Sequence, residues 1–505
     1  MSAGLHTVHV RVNDAATGQP TPVRLRIVDA EENYYAPFGR LVDFATGEDE
    51  DVGGNLLLRA KKYAYIDGSC EINLPAGGIQ VELHKGPEYI PQQVHSKLGA
   101  GQLALRYSVK RWTNLRQEGW YSGDAGAFSL TPHAALLEAA AEDLAVVNLL
   151  SEVSTRRVLP NVLAFSGQRP ALERSGHLVV VNTRNHHAML GSLSLLHCHR
   201  LIFPLEVAEE QPLGQWTLAD WCDQCHRKGG LVVWNSDVNS YKLKGHTYGE
   251  GLAELLLGKI DAIELNAAQN ASEFLNEHWY PFLNSGCRVP LVGSSHKRSN
   301  RRLLGSLRTY ARLAAGDELT YKSWVEAIRA GRTFVTNGPL LRFTVNGHDP
   351  GEVVELPSLD QPLHIVAEAR SNAPFAGLEL LLNGDVLARA DASGSPPTAS
   401  LTTELKVPSA GWLAIRCRGT QRVAIGDSDQ EAMAHSSPVY VQITDRQAHA
   451  DRATIVKLSE HLDRWLTFIA ERCGHETAQP AQRLARIFEN ARQVLHERLQ
   501  RASRT

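Results

Sequence analysis

The chain has 505 residues, 43% of them hydrophobic and 21% charged, which suffices for about three domains with sizeable cores. Fifty-two basic residues against 55 acidic ones leave a formal net charge of -3, a balance that argues against a nucleic-acid partner. No apolar run reaches the ~18 residues of a membrane span, and nothing at the start reads as a signal peptide. The 7 scattered cysteines fit reduced thiols, so a cytoplasmic protein with no membrane partner is expected.

The first 115 residues predict a β-sandwich. His6 to Val12 and Val23 to Val28 alternate apolar and polar residues, the period of a strand with one buried face. Thr17-Gly18-Gln19-Pro20 and Pro75-Ala76-Gly77-Gly78 mark turns. From 116 to 338 the pattern becomes short apolar strands alternating with helices. The strands are predicted at Leu144-Ala145-Val146-Val147, Leu178-Val179-Val180-Val181, Leu231-Val232-Val233-Trp234, Ala262-Ile263-Glu264-Leu265 and Val289-Pro290-Leu291-Val292. Runs without alternation suit strands covered on both faces, as in βα units. Helices are predicted to start at Thr131-Pro132, Thr217-x-x-Asp220 and Thr320, with Gly229-Gly230 and Gly331 closing the last two. In such folds the chemistry gathers at the C-terminal ends of the strands. Residues 339–445 return to β patterning, with turns at Asn383-Gly384 and Ser393-Gly394, and predict a second sandwich. Residues 446–505 predict a helix pair broken at Gly474. Its two apolar stripes are Ile455, Leu458, Leu462, Leu466, Ile469 and Leu484, Ile487, Phe488, Ala491, Val494, Leu495. Such stripes dock on the body or on a second copy of the chain.

From Trp120-Tyr121-Ser122-Gly123-Asp124 onward the chain resembles the CehA/McbA-type metallohydrolases, relatives of the PHP (polymerase and histidinol phosphatase) phosphoesterases. Other matching stretches are Tyr63-Ala64-Tyr65-Ile66-Asp67-Gly68, Gly86-Pro87-Glu88-Tyr89, Ala141-Glu142-Asp143-Leu144, Gly229-Gly230-Leu231-Val232-Val233-Trp234 and Asp261-Ala262-Ile263-Glu264. Further matches are Ala330-Gly331-Arg332-Thr333-Phe334-Val335-Thr336-Asn337-Gly338-Pro339 and Ala434-His435-Ser436-Ser437-Pro438-Val439-Tyr440-Val441. The resemblance implies an α/β fold with a distorted PHP-like barrel, flanked by the two sandwiches and the helix pair. It also implies metal ions, held by histidines and carboxylates at the strand ends, that activate water against an ester, amide or phosphoester.

The ligand positions that the resemblance implies are replaced one after another. Gly126 and Phe128 stand for the His-x-His pair, Leu149-Leu150 for Asp-His, Ser192 for a histidine and Asn235-Ser236 for Pro-His. Ser294-Ser295-His296-Lys297 stands for Gly-Thr-Asp-Lys. Asp124 and Glu264 are the surviving carboxylates. Metal binding needs several convergent deprotonated groups, so the leading expectation is a metal-free, non-catalytic homologue that binds a ligand or a protein partner. Its pocket is expected at Asp124, Gly126, Phe128, Leu150, Ser192, Asn235, Glu264, Asn266, Ser295, His296 and Lys297, with Leu149 beside them.

Two alternatives stay open. Relocated ligands could hold zinc, manganese or iron: His186, His187, His197, His199 and His296, with His197-x-His199 placed on one face of a strand. A metal-independent enzyme, or a subunit of a complex, could use the Ser294–Lys297 loop as a nucleophile or as an anion site with Arg298. Cys222-x-x-Cys225-His226 matches a haem-attachment spacing, but its mid-helix setting favours two buried thiols.

Overall fold

The computed structural model describes residues 5–40, 55–99, 101–153, 161–235, 247–424, 429–444, 450–472 and 478–502. Residues 1–4, Ser236, Cys473 and Gly474, on which parts of the sequence reading rest, lie outside the described residues. The architecture is mixed α/β, as the patterning predicts. Among the described residues no helix is long and apolar enough to cross a membrane.

In the first module Leu5–Asp14 pairs antiparallel with Ser69–Pro75 and parallel with Ala104–Val109. A second sheet runs Asn55–Leu58, Lys61–Ile66, Val23–Asp29, Gly77–His84, Gln92–Leu98. Val8, Val10 and Val12 of the first sheet meet Leu25, Ile27 and Val81 of the second in one core. The Val23–Asp29 strand departs from its expected one-sided burial, because all seven of its residues are buried. Its polar positions are satisfied by tertiary partners instead. Arg24 pairs with Glu142 at 2.8 Å and Arg26 with Glu82 at 2.8 Å, so a charge on the second face can be enclosed.

The central region starts with Trp120–Ala127, which pairs parallel with Val146–Ser151, itself parallel with His177–His187. Leu231–Asn235, Ala262–Asn266 and Leu291–Ser294 form a second parallel run. Between the two runs lies Gly191–Leu196, antiparallel to both neighbours. The patterning predicts strand–helix alternation here. Only residues 188–190 separate this strand from the one before it, too few for a parallel crossover, so the chain turns back as a hairpin. The two ends of the run meet through His296 N–H to Gly126 O at 3.0 Å and Phe128 N–H to Lys297 O at 2.7 Å.

Along each of these strands alternate residues face opposite cores. Val146, Leu178, Leu231 and Ala262 face inward onto Trp324 and Ile328 of the helix Tyr321–Arg329, which closes the strand-start end. The helices start where the capping signals place them. Thr131 Oγ1 accepts from Ala134 N–H at 3.3 Å ahead of Pro132–Ala141, and Thr217 with Asp220 forms a capping box on Leu218–Arg227. Gly331 takes φ 75 after the third helix.

The central sheet runs on without a break beyond residue 338, because Thr333–Thr336 pairs with Asp429–Ser436. The expected turn at Asn383-Gly384 has φ 55 and 99, the left-handed pair of a tight hairpin. The helices Arg452–Arg472 and Ala478–Ala502 pack together, with Trp465 stacked on Phe488 at 5.6 Å between ring centroids. Trp465, rather than Leu466, completes the first buried stripe. Leu458, Leu462, Leu484, Phe488 and Leu495 share a core with Leu218, Trp221 and Tyr248 of the same chain, so both stripes are covered within the chain.

Candidate functional site at the strand ends

The inward positions change character from the strand starts to the strand ends. Above the apolar layer on Trp324 lies a buried polar one. Asn182 Nδ2 donates to Asn148 Oδ1 at 2.9 Å and to Tyr321 Oη at 2.9 Å, and the Tyr321 hydroxyl donates to Asn148 Oδ1 at 2.7 Å. One level further out is the layer that the sequence reading nominates. Glu264, 3% exposed, accepts from Asn235 Nδ2 at 2.6 Å and from the Ser294 hydroxyl. Asn235 is in turn held by Ser194, with Nδ2 to Oγ at 2.9 Å and Oγ to Oδ1 at 3.2 Å.

Gly126 and Leu150 complete this layer. A Cβ placed on Gly126 would meet Leu150 Cδ1 at 2.9 Å, Glu264 Oε1 at 3.2 Å and Ser294 Cβ at 3.6 Å. Thus Gly126, Leu150, Asn235 and Glu264 come together as expected from the strand ends. Leu149 does not join them, because its side chain packs on the opposite face with Leu130 and Ala135. Ser192 is buried and its hydroxyl bonds His186 Nδ1 at 2.8 Å. Asn266 Oδ1 accepts from Ala268 N–H at 2.9 Å and shapes the turn after its strand.

Asp124 is fully buried but serves the backbone. Its Oδ1 accepts from Gly126 N–H at 3.1 Å and Ser295 N–H at 3.0 Å, and its Oδ2 from Gly305 N–H at 2.9 Å. Burial pushes its pKa up against these hydrogen bonds and that of the Ser295 hydroxyl. The carboxylate therefore fastens the 295–305 loop to the first strand. Lys297 is also fully buried, donating to Arg302 O at 2.6 Å and lying 3.4 Å from Glu138 Oε2. Burial lowers its pKa while Glu138 raises it. Its ammonium faces the helix Pro132–Ala141 and not the strand-end layer.

Those residues form a rim around Phe128. The Arg298 guanidinium lies 4.0 Å from the Phe128 ring centroid and that of Arg184 lies 5.9 Å from it, both attractive cation–π placements. Glu152 bridges the two arginines, pairing with Arg298 and, at 3.3 Å, with Arg184. His296, in a left-handed conformation at φ 49, packs on Phe128 at 5.0 Å between ring centroids. It accepts at Nε2 from Arg298 Nε at 2.9 Å, and its Nδ1 has no hydrogen-bond partner among the described residues. Burial, with Arg298, Arg184 and Arg302 close by, pushes its pKa down to about 2, so the imidazole is neutral at physiological pH.

The other histidines do not join it. His186 and His187 sit at the tip of the 177–196 hairpin, while His197 and His199 follow its far end. The six residues of Gly191–Leu196 between the pairs span roughly 20 Å. His197 takes φ 59, so the pair is not on a strand and the same-face expectation fails. His187 Nδ1 accepts from Met189 and Leu190 N–H, and burial lowers its pKa to about 4. His197 Nδ1 bonds Gly229 O at 3.0 Å and His199 Nδ1 bonds Lys228 O at 2.9 Å. Cys222 and Cys225 are buried thiols, the latter 3.4 Å from Cys198 Sγ. His226 binds Asp261 at 2.9 Å.

Among the described residues no three His, Cys, Asp or Glu side chains form a group that could hold a metal ion. The donor set explains this: one carboxylate faces an amide, two hydroxyls, a glycine and a leucine. The space a histidine would need at 126 is held by Leu150 and Glu264. The described residues of this layer offer no donor set suited to zinc, manganese or iron.

Ser194, Glu152 and Arg184 were missed in the sequence reading, and Ser294 was weighed there only as part of the Ser294–Lys297 loop. For Ser194 the i, i+2 spacing from Ser192 carried the signal. Nothing local marks Glu152 and Arg184, which are joined to Arg298 only by the fold.

No protein-family model matches the chain, and no curated protein does. Among solved structures it is similar to a two-domain protein containing a predicted PHP-like metal-dependent phosphoesterase from Bacteroides vulgatus. That match has a TM-score of 0.33 and 11% identity over 62% of this chain and 94% of the other. PsfC from Pseudomonas syringae matches at a TM-score of 0.29 and 16% identity, over 41% of this chain and 88% of its own. The lesion-specific endonuclease PfuEndoQ from Pyrococcus furiosus matches at 0.28 and 15%, over 42% of this chain and 56% of its own. At overlaps of this size the chemistry rests on the residues of this chain.

Proposed function

We propose that the chain is a metal-free, non-catalytic relative of the PHP-like metallohydrolases. In this reading the strand ends form a distorted barrel mouth, and the rim around Phe128 binds a small ligand bearing an anionic group. The observation that carries the reading is the engagement of Glu264. Its two carboxylate oxygens accept from Asn235 and Ser294 inside a layer closed by Gly126 and Leu150. A carboxylate held by neutral donors in this way acts as a hydrogen-bond acceptor within a packed layer.

The rim supplies binding chemistry of its own. Among the described residues Arg184 and Arg298 both pair with Glu152. A guanidinium stacked on an aromatic ring suits a planar anion, and His296 Nδ1, without a hydrogen-bond partner among the described residues, adds a polar group beside it. The neutral imidazole adds no charge of its own to the rim.

The test has two arms. Elemental mass spectrometry of the untagged protein, purified without chelator, should find substoichiometric zinc, manganese and iron. Calorimetry with small carboxylates and phosphates should show binding that Arg298→Ala weakens and Lys297→Met does not. Stoichiometric metal, or hydrolysis of ester or phosphoester substrates that a chelator abolishes, would overturn the proposal.

A further inference from the structure

Cys222-x-x-Cys225, marked by its spacing in the sequence, meets a third cysteine in the fold. Cys198 follows the strand Gly191–Leu196, and Cys225 lies in the last turn of the helix Leu218–Arg227. Their sulfurs are 3.4 Å apart although the residues are 27 positions apart in the chain. Both are free thiols. Gly230 makes the approach possible, because a Cβ there would meet Cys198 Sγ and Cys225 Sγ at 2.5 Å each. Hydrogen bonds hold the arrangement. His199 N–H donates to Lys228 O at 3.2 Å, and Gly230 N–H donates to Cys225 O at 2.9 Å.

A disulfide holds its sulfurs at about 2.05 Å and its Cβ atoms about 3.5–4.5 Å apart. Cys198 and Cys225 need their sulfurs to close by roughly 1.4 Å, a movement within reach of side-chain rotation. Cys222 and Cys225 are the poorer match, since residues three apart on a helix keep their Cβ atoms about 5–6 Å apart. Cys198 and Cys225 are both buried, but they lie close beneath the surface. His199, next to Cys198, and Gly229, next to Gly230, are exposed. Burial and the contact with Cys198 push the Cys225 thiol well above its ordinary value, so Cys225 keeps its proton and Cys198 is the sulfur that reacts first.

We infer that Cys198 and Cys225 are an oxidation site, at which hydrogen peroxide converts the two thiols into a disulfide that staples the end of the strand Gly191–Leu196 to the helix Leu218–Arg227. Cys198 Sγ attacks one peroxide oxygen, the O–O bond breaks, and the thiol proton leaves with the other oxygen as water. Cys225 Sγ then attacks the sulfur of the resulting sulfenic acid. The S–S bond forms, the S–O bond breaks, and the hydroxyl leaves as water with the Cys225 proton. The two thiols lose two electrons together, and one peroxide is reduced to two waters. The bridge restrains the unfolded and locally opened chain, and so strengthens the closed one. The site shares no residue with the Phe128 rim or the Glu264 layer, so it stands apart from the proposed function.

The test uses the intact, reduced protein. It is treated with hydrogen peroxide, remaining thiols are blocked with N-ethylmaleimide in denaturant, and unreduced peptides are identified by mass spectrometry. The peptide carrying Cys198 should be joined to the one carrying Cys225, and dithiothreitol should separate them. Cys222→Ser should form the same link at the wild-type rate. Hydrogen exchange in peptides covering Leu218–Arg227 should slow roughly tenfold or more in the linked protein. A link between Cys222 and Cys225, a link that forms only in denaturant, or Cys198 carried on to the sulfinic acid with Cys225 still free would overturn the inference. So would the absence of any link, or exchange that the link leaves unchanged.

Discussion

Replacing Glu264 by glutamine separates a structural carboxylate from a metal ligand. The side chain is buried and receives two hydrogen bonds, from Asn235 Nδ2 at 2.6 Å and from the Ser294 hydroxyl. Glutamine keeps the shape but presents one oxygen and one N–H₂ group. With the glutamine oxygen toward Asn235 Nδ2, its N–H₂ group faces the Ser294 hydroxyl, which then accepts instead of donating. The variant therefore exchanges two charge-assisted hydrogen bonds for two neutral ones. Charged hydrogen bonds contribute about 1.5–3 kcal/mol and neutral ones about half as much, so the expected loss is about 2 kcal/mol. Hydrogen exchange read on peptides covering Ala262–Asn266 isolates this strand from the rest of a large chain. The opening equilibrium there should rise roughly thirtyfold. Exchange that stays the same or slows would refute the reasoning, because a carboxylate kept for a cation relaxes when its charge is removed from the metal-free protein.

Three further outcomes are expected. Asn235→Asp places a second carboxylate against Glu264 and should cost about 3 kcal/mol at pH 7, measured by denaturant unfolding; recovery on adding zinc or manganese would show that the layer accepts a metal after all. Lys297→Met leaves Glu138 buried without its cation and should cost about 3–5 kcal/mol, with Glu138→Gln in the same chain restoring much of it; loss of ligand binding at unchanged stability would instead place Lys297 at the rim. The buried acid pair Glu250 and Glu254 should make stability fall as pH rises. Burial raises the Glu254 pKa from 4.5 to about 7, and a folded-state value above the unfolded one means that the folded chain keeps a proton the unfolded chain has lost. Stability from this group is full below pH 4.5 and declines by about 3 kcal/mol up to pH 7, then levels off. Glu254→Gln should flatten that part of the stability profile, and an unchanged slope would count against a protonated pair.

The sequence by itself determined the mixed α/β character, the helix starts and the layer from which a site is built. Thr131-Pro132, Thr217 with Asp220, and Thr320 mark helix starts because capping is local chemistry. Gly126, Leu150, Asn235 and Glu264 were reached through the ligand positions that the resemblance implies, which fall at the ends of the strands. What each side chain does there was decided by tertiary structure. Asp124 and Lys297 read as site residues by their position in the sequence. Yet one accepts a backbone N–H group of its own strand and two of a returning loop, and the other lies against a glutamate on a helix more than 150 positions away. The histidines suggested a relocated metal set by their number. A short hairpin then sent His186 and His187 to one end of the fold and His197 and His199 to the other. Strand period and capping act over a few residues and survive in a single sequence. Convergence of side chains on a point depends on which strands lie side by side, and that is settled only when the whole sheet is assembled.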